Sequence, residues 1–180
     1  MVGPTIVRHG TPAQQRRHLN RILSGDHLFC QGFSEPDAGS DLAAVRTRGA
    51  AVPGGYVITG RKVWSSYAHL ADYCLLLART EPGSARHQGL TCFLVDMRSP
   101  GVQTRPLRQI SGDTDFNEIV LDDVRIGDED VLGEPGDGWR IALTTLAHER
   151  GTFGVTLTAR RSVQFERLLA TARATGNADD

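Results

Sequence analysis

Aromatic side chains are scarce in this sequence. Phe, Trp and Tyr make up 6% of its 180 residues, and tryptophan occurs only as Trp64 and Trp139. Cysteine occurs three times, as Cys30, Cys74 and Cys92, each inside an apolar run. An odd, small number so placed excludes a disulfide framework and reads as reduced core thiols of a cytoplasmic protein. The net charge of -1 and pI of about 6.6 leave no basic surplus to recommend nucleic acid or an anionic membrane as a partner. No apolar run approaches transmembrane length, and the start is not a signal peptide. The six histidines, His9, His18, His27, His69, His87 and His148, lack metal-ligand spacing. Packing or surface roles are expected for them, and no metal. There is no internal repeat and no low-complexity tract. What remains is enough chain for one domain with a sizeable core, or one domain plus a fragment.

The hydrophobic pattern predicts an α+β protein. Residues 1–10 have no clear pattern. Thr11-Pro12 reads as a helix cap followed by proline at the first helical position, and 13–23 as a short helix stopped at Ser24-Gly25-Asp26. From 28 to about 126 the texture is β. Strands are expected at 28–34, 43–51, 56–64, 73–79, 91–96, 102–106 and 116–126, separated by Pro and Gly turns. Strands at this spacing without intervening helices argue for an antiparallel barrel or sandwich. Leu75-Leu76-Leu77-Ala78 is continuously apolar, as in a strand covered on both faces. The alternation of 116–126 slips near Asp122-Asp123, as at a bulge. Asp113, Asp115, Asp122 and Asp123 read as loop and strand-edge solvation, and Lys62 as a solvated face.

After the linker 133–138 the period changes. Trp139, Leu143, Leu146, Arg150, Phe153 and Leu157 recur at four- and three-residue spacing, the stripe of one long helix running to about 172. Such a helix exceeds what the β domain needs and reads as the first member of a bundle. Gly151 and Gly154 within it suggest close approach of a ligand or another helix.

Two segments could carry chemistry. Phe29-Cys-Gln-Gly-Phe-Ser-Glu-Pro-Asp-Ala-Gly-Ser-Asp41 runs from an apolar strand into a turn whose backbone N–H groups and hydroxyls suit an anionic or carbonyl-rich ligand. Trp64-Ser65-Ser66 ends a strand with an indole able to stack on a flat ring and a hydroxyl two residues on. Each alone also fits an ordinary turn or a core tryptophan. Their presence in one β domain, in this order, points to a flavin site.

These segments, with Gly55-Tyr-Val-Ile-Thr-Gly-Arg-Lys-Val-Trp64, Phe116-Asn-Glu-Ile-Val-Leu-Asp-Asp-Val-Arg-Ile126 and Val131-Leu-Gly-Glu-Pro-Gly-Asp-Gly-Trp139, resemble the acyl-CoA dehydrogenase family over most of the chain. The resemblance implies residues 1–27 as the remnant of an N-terminal helical domain and 28–130 as a middle β-barrel domain binding FAD and acyl-CoA. It implies 131–180 as a linker and the first helix of a C-terminal bundle. By the same resemblance, Gln31, Phe33 and Ser34 meet the flavin pyrimidine edge, and Gly39 and Ser40 the FAD pyrophosphate and the CoA arm. Trp64 packs on the isoalloxazine and Ser66 lies near flavin N5.

The family's base is a glutamate that removes the α-proton of an acyl thioester while hydride leaves the β-carbon. In a minority of members it lies on the first bundle helix, and the matching position is Glu149, with Arg150 as a substrate-side group. A structural ion pair is the plainer reading of Glu149 and Arg150. The implied partners are an acyl-CoA, an acceptor such as an electron-transfer flavoprotein, and further subunits in a homo- or hetero-oligomer. Much of the family's helical structure has no counterpart in this sequence, so a fragment not active alone is expected. The alternatives are a non-catalytic paralogue serving as a binding or assembly module, and a flavin oxidase or monooxygenase of the same fold. The acyl chain is not legible.

Overall fold

The computed structural model describes residues 1–176, apart from the side chains of Thr152, Phe153 and Thr156. Two helices open the chain, α1 (Val2–His9) and α2 (Pro12–Ser24). α2 starts as its sequence dictates. Thr11 Oγ1 accepts from the Gln14 N–H at 3.2 Å, and Gln14 Oε1 accepts from the Thr11 N–H at 2.9 Å. These two bonds satisfy donors that the first turn cannot pair internally. Helix α1 corrects the expectation that residues 1–10 are patternless. Gly3 and Pro4 read as breakers, but Pro4 stands in the first turn, where its missing N–H forfeits no intrahelical bond. Val2, Thr5 and Ile6 are the residues that α1 buries.

Eight strands follow: β1 (Phe29–Gly32), β2 (Arg48–Val52), β3 (Gly55–Ser66), β4 (Tyr73–Arg79), β5 (Leu90–Asp96), β6 (Val102–Leu107), β7 (Phe116–Gly127) and β8 (Val131–Leu132). They form one open, mixed sheet in the order β6-β7-β3-β2-β4-β5-β8, with β1 beside β4. Most pairs are antiparallel, but β1 and β2 both run parallel to β4. The sheet folds over on itself, so β4 and β5 are covered on both faces. On one face Leu76, Ala78 and Phe93 pack against Ile58, Ile119, Leu121 and Val124 from β3 and β7. On the other, Leu75, Leu77, Leu90 and Leu94 pack against Val2, Ile6, Ile141 and Ala142 from the helices. This two-sided cover explains the unbroken apolar run in β4, and burial of each such leucine contributes about 1.5–3 kcal/mol. The slip near Asp122-Asp123 is a bulge: the register passes from Ile58↔Val124 to Gly60↔Leu121, and Thr59 Oγ1 donates to Asp123 at 2.7 Å. All three cysteines are buried and free.

Helix α3 (Gly138–Thr175) is 38 residues long. Its packed face differs from the expected stripe. Ile141, Ala142 and Thr145 are fully buried, whereas Leu143 and Leu157 are exposed. Beside Ile141 the buried side carries the smaller Ala142 and Thr145, and α1 approaches there until Thr5 Oγ1 and Thr145 Oγ1 lie 3.1 Å apart. Further along, Val155, Val163, Phe165 and Leu168 stand exposed. Phe153, expected on the stripe, has a side chain outside the described residues. Among the described residues no helix is long and apolar enough to cross a membrane.

Where α2 meets the sheet, His18 is fully buried. Its ring is 4.8 Å from that of Tyr73, edge to face, and its Nδ1 lies 3.2 Å from Nδ1 of His27. Burial, helped by the charge of Arg17, pushes the His18 imidazole down to about 4. Between that value and the unfolded value of 6.5 the unfolded chain binds more protons. The contribution of His18 to stability is therefore whole above pH 6.5 and lost as pH falls toward 4. Thermal unfolding followed from pH 7.5 to 4.5 is expected to show a falling midpoint, and His18→Phe to flatten that slope relative to wild type.

Candidate functional site

A groove of about 820 Å³ lies between the end of β1, the end of β3, the start of α1 and helix α3. Its walls are mostly apolar, including Phe29, Phe33, Trp64, Phe116 and Leu146. Of the residues singled out in the sequence, Gln31, Phe33, Ser34, Trp64, Ser66 and Glu149 line it together, although they are up to 118 positions apart in the chain. Gly39, Ser40 and Arg150 are exposed and do not line it. Gly39 and Ser40 follow a tight turn closed by reciprocal bonds between Glu35 and Ala38, at 2.9 and 3.1 Å.

Trp64 reaches the groove through a local irregularity. Between Lys62↔Ile119 and Ser65↔Asn117 the β3·β7 register shifts, so Val63 and Trp64 leave the ladder together. Trp64 adopts a left-handed backbone (φ 59°), uncommon for a bulky residue. Trp64 is 62% exposed, and its indole rests edge-on against Phe116, ring centres 6.0 Å apart. Val63, freed from β7, donates its N–H to Ser34 O at 2.9 Å and so joins the two motif segments directly. Backbone strain of this sort is kept where the surrounding contacts over-determine it, commonly at functional sites.

Lys62 corrects the expectation of a solvated face. It is fully buried, and it is the single lysine of the chain. Its Nζ donates to Glu35 Oε1 at 2.8 Å and to Phe33 O at 3.0 Å. Glu35 is itself 8% exposed and also accepts from the Arg46 N–H at 2.7 Å and the Thr47 N–H at 2.8 Å. Burial opposes ionisation of Glu35, but the Lys62 charge and these hydrogen bonds outweigh it and hold the carboxyl below its ordinary value. Burial draws the Lys62 ammonium down, with Glu35 opposing. The pair was missed because a lone lysine in a strand is usually solvated. The signal was available: Lys62 shares strand parity with Ile58, a core residue, and stands alone among the chain's arginines. Nearby, the Cys74 thiol is pushed up by its contact with Cys30 and by burial, which keeps it protonated.

Gly32 lies directly behind this wall. A β-carbon there would meet Cys74 Sγ at 2.7 Å and Leu76 Cδ1 at 3.0 Å. Among the described residues no group of His, Cys, Asp and Glu could hold a metal ion. The cavity instead has the make-up of a site for a flat, largely apolar ligand: aromatic walls, few polar groups, and a Ser34 N–H without a hydrogen-bond partner among the described residues.

Residues 30–124 match the middle domain of acyl-CoA dehydrogenases. The whole chain is 50% identical to acyl-CoA dehydrogenase IpdE1 of Mycobacterium tuberculosis, over 47% of that relative. Over 82% of the chain, FadE34 of the same organism is 54% identical, across 21% of its length. A solved structure described as the Tcur3481-Tcur3483 steroid ACAD superposes on 97% of this chain and 45% of its own, with a TM-score of 0.88 and 35% identity. The chain belongs to the acyl-CoA dehydrogenase family, a family of oxidoreductase flavoproteins. It spans about half the length of the curated relatives it matches, or less.

Gly32→Ala is expected to destabilise the protein by about 1–3 kcal/mol, because the added methyl overpacks a core without slack. Urea unfolding measures this as a lowered midpoint at unchanged slope.

Proposed function

We propose that this chain supplies the flavin-edge wall and part of the substrate groove of an FAD-dependent acyl-CoA dehydrogenase. The observation that carries this reading is the convergence of the 31–34 segment, Trp64, Ser66 and Glu149 on one groove. In this reading 28–130 is the cofactor-binding unit, 1–27 belongs to a helical unit before it, and the chain from 131 on begins a helical bundle. Gln31, Phe33 and Ser34 hold the polar edge of the flavin ring, Trp64 covers its face, and the Ser66 hydroxyl bonds near its reactive nitrogen. FAD, when bound, supplies the acceptor for the hydride that leaves the acyl β-carbon.

Glu149 is the base in this scheme. It is half-buried at the groove and approaches from the helix side, opposite the sheet segments. A carboxylate there takes the α-proton of the thioester. Gly39 and Ser40 suit the phosphate-bearing parts of FAD or CoA, which extend out to solvent. The likeness to a steroid ACAD makes a steroid-derived acyl-CoA the first substrate to try, with an electron-transfer flavoprotein or a dye as acceptor. Further subunits fit the likeness to the ChsE4-ChsE5 complex of Mycobacterium tuberculosis, 37% identical over 82% of this chain with a TM-score of 0.76.

FAD titrated into the protein is expected to quench the fluorescence of Trp64, and Trp64→Phe to remove that quench while Trp139 stays bright. Unchanged emission at saturating FAD contradicts the reading. In a preparation that turns over acyl-CoA, Glu149→Gln is expected to lower kcat by about 10²–10⁴-fold, the usual contribution of a positioned base. Unaltered turnover excludes Glu149 as the base.

A further inference from the structure

We infer that the buried Lys62–Glu35 ion pair is the positioning device of the flavin-edge segment, and that it strengthens the Ser34 N–H as a donor toward an electron-rich ring edge. The inference rests on the flavin reading above and names two residues to which that reading gives no role.

The argument starts from what the pair costs. Two charges are removed from water in a wall where apolar residues of similar size are often equally stable or more so. The arrangement is nevertheless complete: the carboxylate accepts from Lys62, Arg46 and Thr47, and the ammonium donates to both Glu35 and Phe33. Three separate pieces of chain are tied at one point, namely 33–35 beyond β1, 46–47 before β2, and the interior of β3. One residue after Lys62, the Val63 N–H holds Ser34 O, and the next residue is the strained Trp64. The lysine thus fixes the spacing between the two walls that line the groove.

The second part follows from peptide geometry. Phe33 C=O and Ser34 N–H belong to one peptide unit, and no described peptide bond is cis. In a planar trans unit they point in opposite directions. The carbonyl faces the Lys62 ammonium at 3.0 Å, so the N–H points away from the buried pair, and Ser34 lines the groove. A cation on the carbonyl oxygen polarises the unit and makes its N–H a stronger donor, as along a hydrogen-bonded chain. That N–H has no partner among the described residues. A flavin edge carries more negative charge when reduced, so this donor favours the reduced form over the oxidised.

The test compares wild type with Glu35→Gln/Lys62→Met. This variant removes both charges and leaves an amide oxygen to accept from one of the two N–H groups, of Arg46 or of Thr47, that the two carboxylate oxygens hold in wild type. Folding is checked by circular dichroism. Affinities for oxidised FAD and for dithionite-reduced FAD are measured by fluorescence, anaerobically for the latter. Both are expected to fall, the reduced form about tenfold more than the oxidised, equivalent to about 30 mV in a two-electron couple. An equal loss of both affinities, or none, overturns the donor role. Lys62→Arg keeps the cation and is expected to keep the wild-type ratio even where both affinities drop. It decides the matter should the double variant not fold, a lost ratio in the folded arginine variant counting against the inference. Amide exchange gives a flavin-independent readout. The Val63 N–H is expected to lose at least tenfold protection in the double variant while Leu76 keeps its own, and unchanged Val63 protection overturns the positioning role. Absence of FAD binding by wild type sinks the flavin reading, and with it the donor role, and Val63 then decides positioning alone.

Discussion

One buried ion pair holds the groove together. Lys62 reaches from the interior of β3 to Glu35 and to the Phe33 carbonyl, and Glu35 reaches on to the chain entering β2. Removal of either partner leaves a charge in an apolar wall, a situation that typically costs 3–5 kcal/mol. Of the residues that face the groove from the sheet side, Phe33, Ser34, Val63 and Trp64 lie within two residues of this pair or of the Val63–Ser34 bond beside it. The left-handed Trp64 is tolerable only because its neighbours on both sides are so constrained.

The rest of the fold brings the other wall into place. β4 and β5 form the doubly covered layer on which the sandwich and the helices pack from opposite faces. Helix α3 docks by its first turns alone, through Ile141, Ala142 and Thr145, and this brings Glu149 to the groove two turns later. α1 fills the angle between α3 and the sheet, so Met1 and Val2 also reach the groove. The Glu149 carboxylate on a helix and the 31–34 edge of the sheet are thereby carried by different layers of one core.

Local pattern made most of this fold legible, since strand alternation and turn residues act over a few positions. β4 was anticipated to the residue, and the bulge at Asp122-Asp123 was visible as a break in period. The start of α1 was not, because Gly3 and Pro4 carry helix-breaking propensity that the first turn does not feel. The packed face of α3 was misjudged for a tertiary reason: beside Ile141 its contact uses Ala142 and Thr145, and small or polar side chains leave little trace in a pattern of large apolar ones. In the site, the motif residues of the 31–34 segment and of 64–66 could be grouped before any coordinates. Lys62 left a trace in its strand parity with Ile58, but its pairing with Glu35 left none, because the significance of a charge depends on what it faces across space.

The account's central claim is that the 31–34 segment and the end of β3 form one surface for a flavin ring. The most direct measurement is a titration of the ¹⁵N-labelled protein with FAD, followed by nuclear magnetic resonance. The predicted result is that the Ser34 and Val63 amides and the Trp64 indole N–H shift together along one binding curve. Shifts confined instead to the small cleft at the β2–β3 turn, around Gly54, Tyr56 and Arg125, with Ser34 and Trp64 unmoved, contradict it.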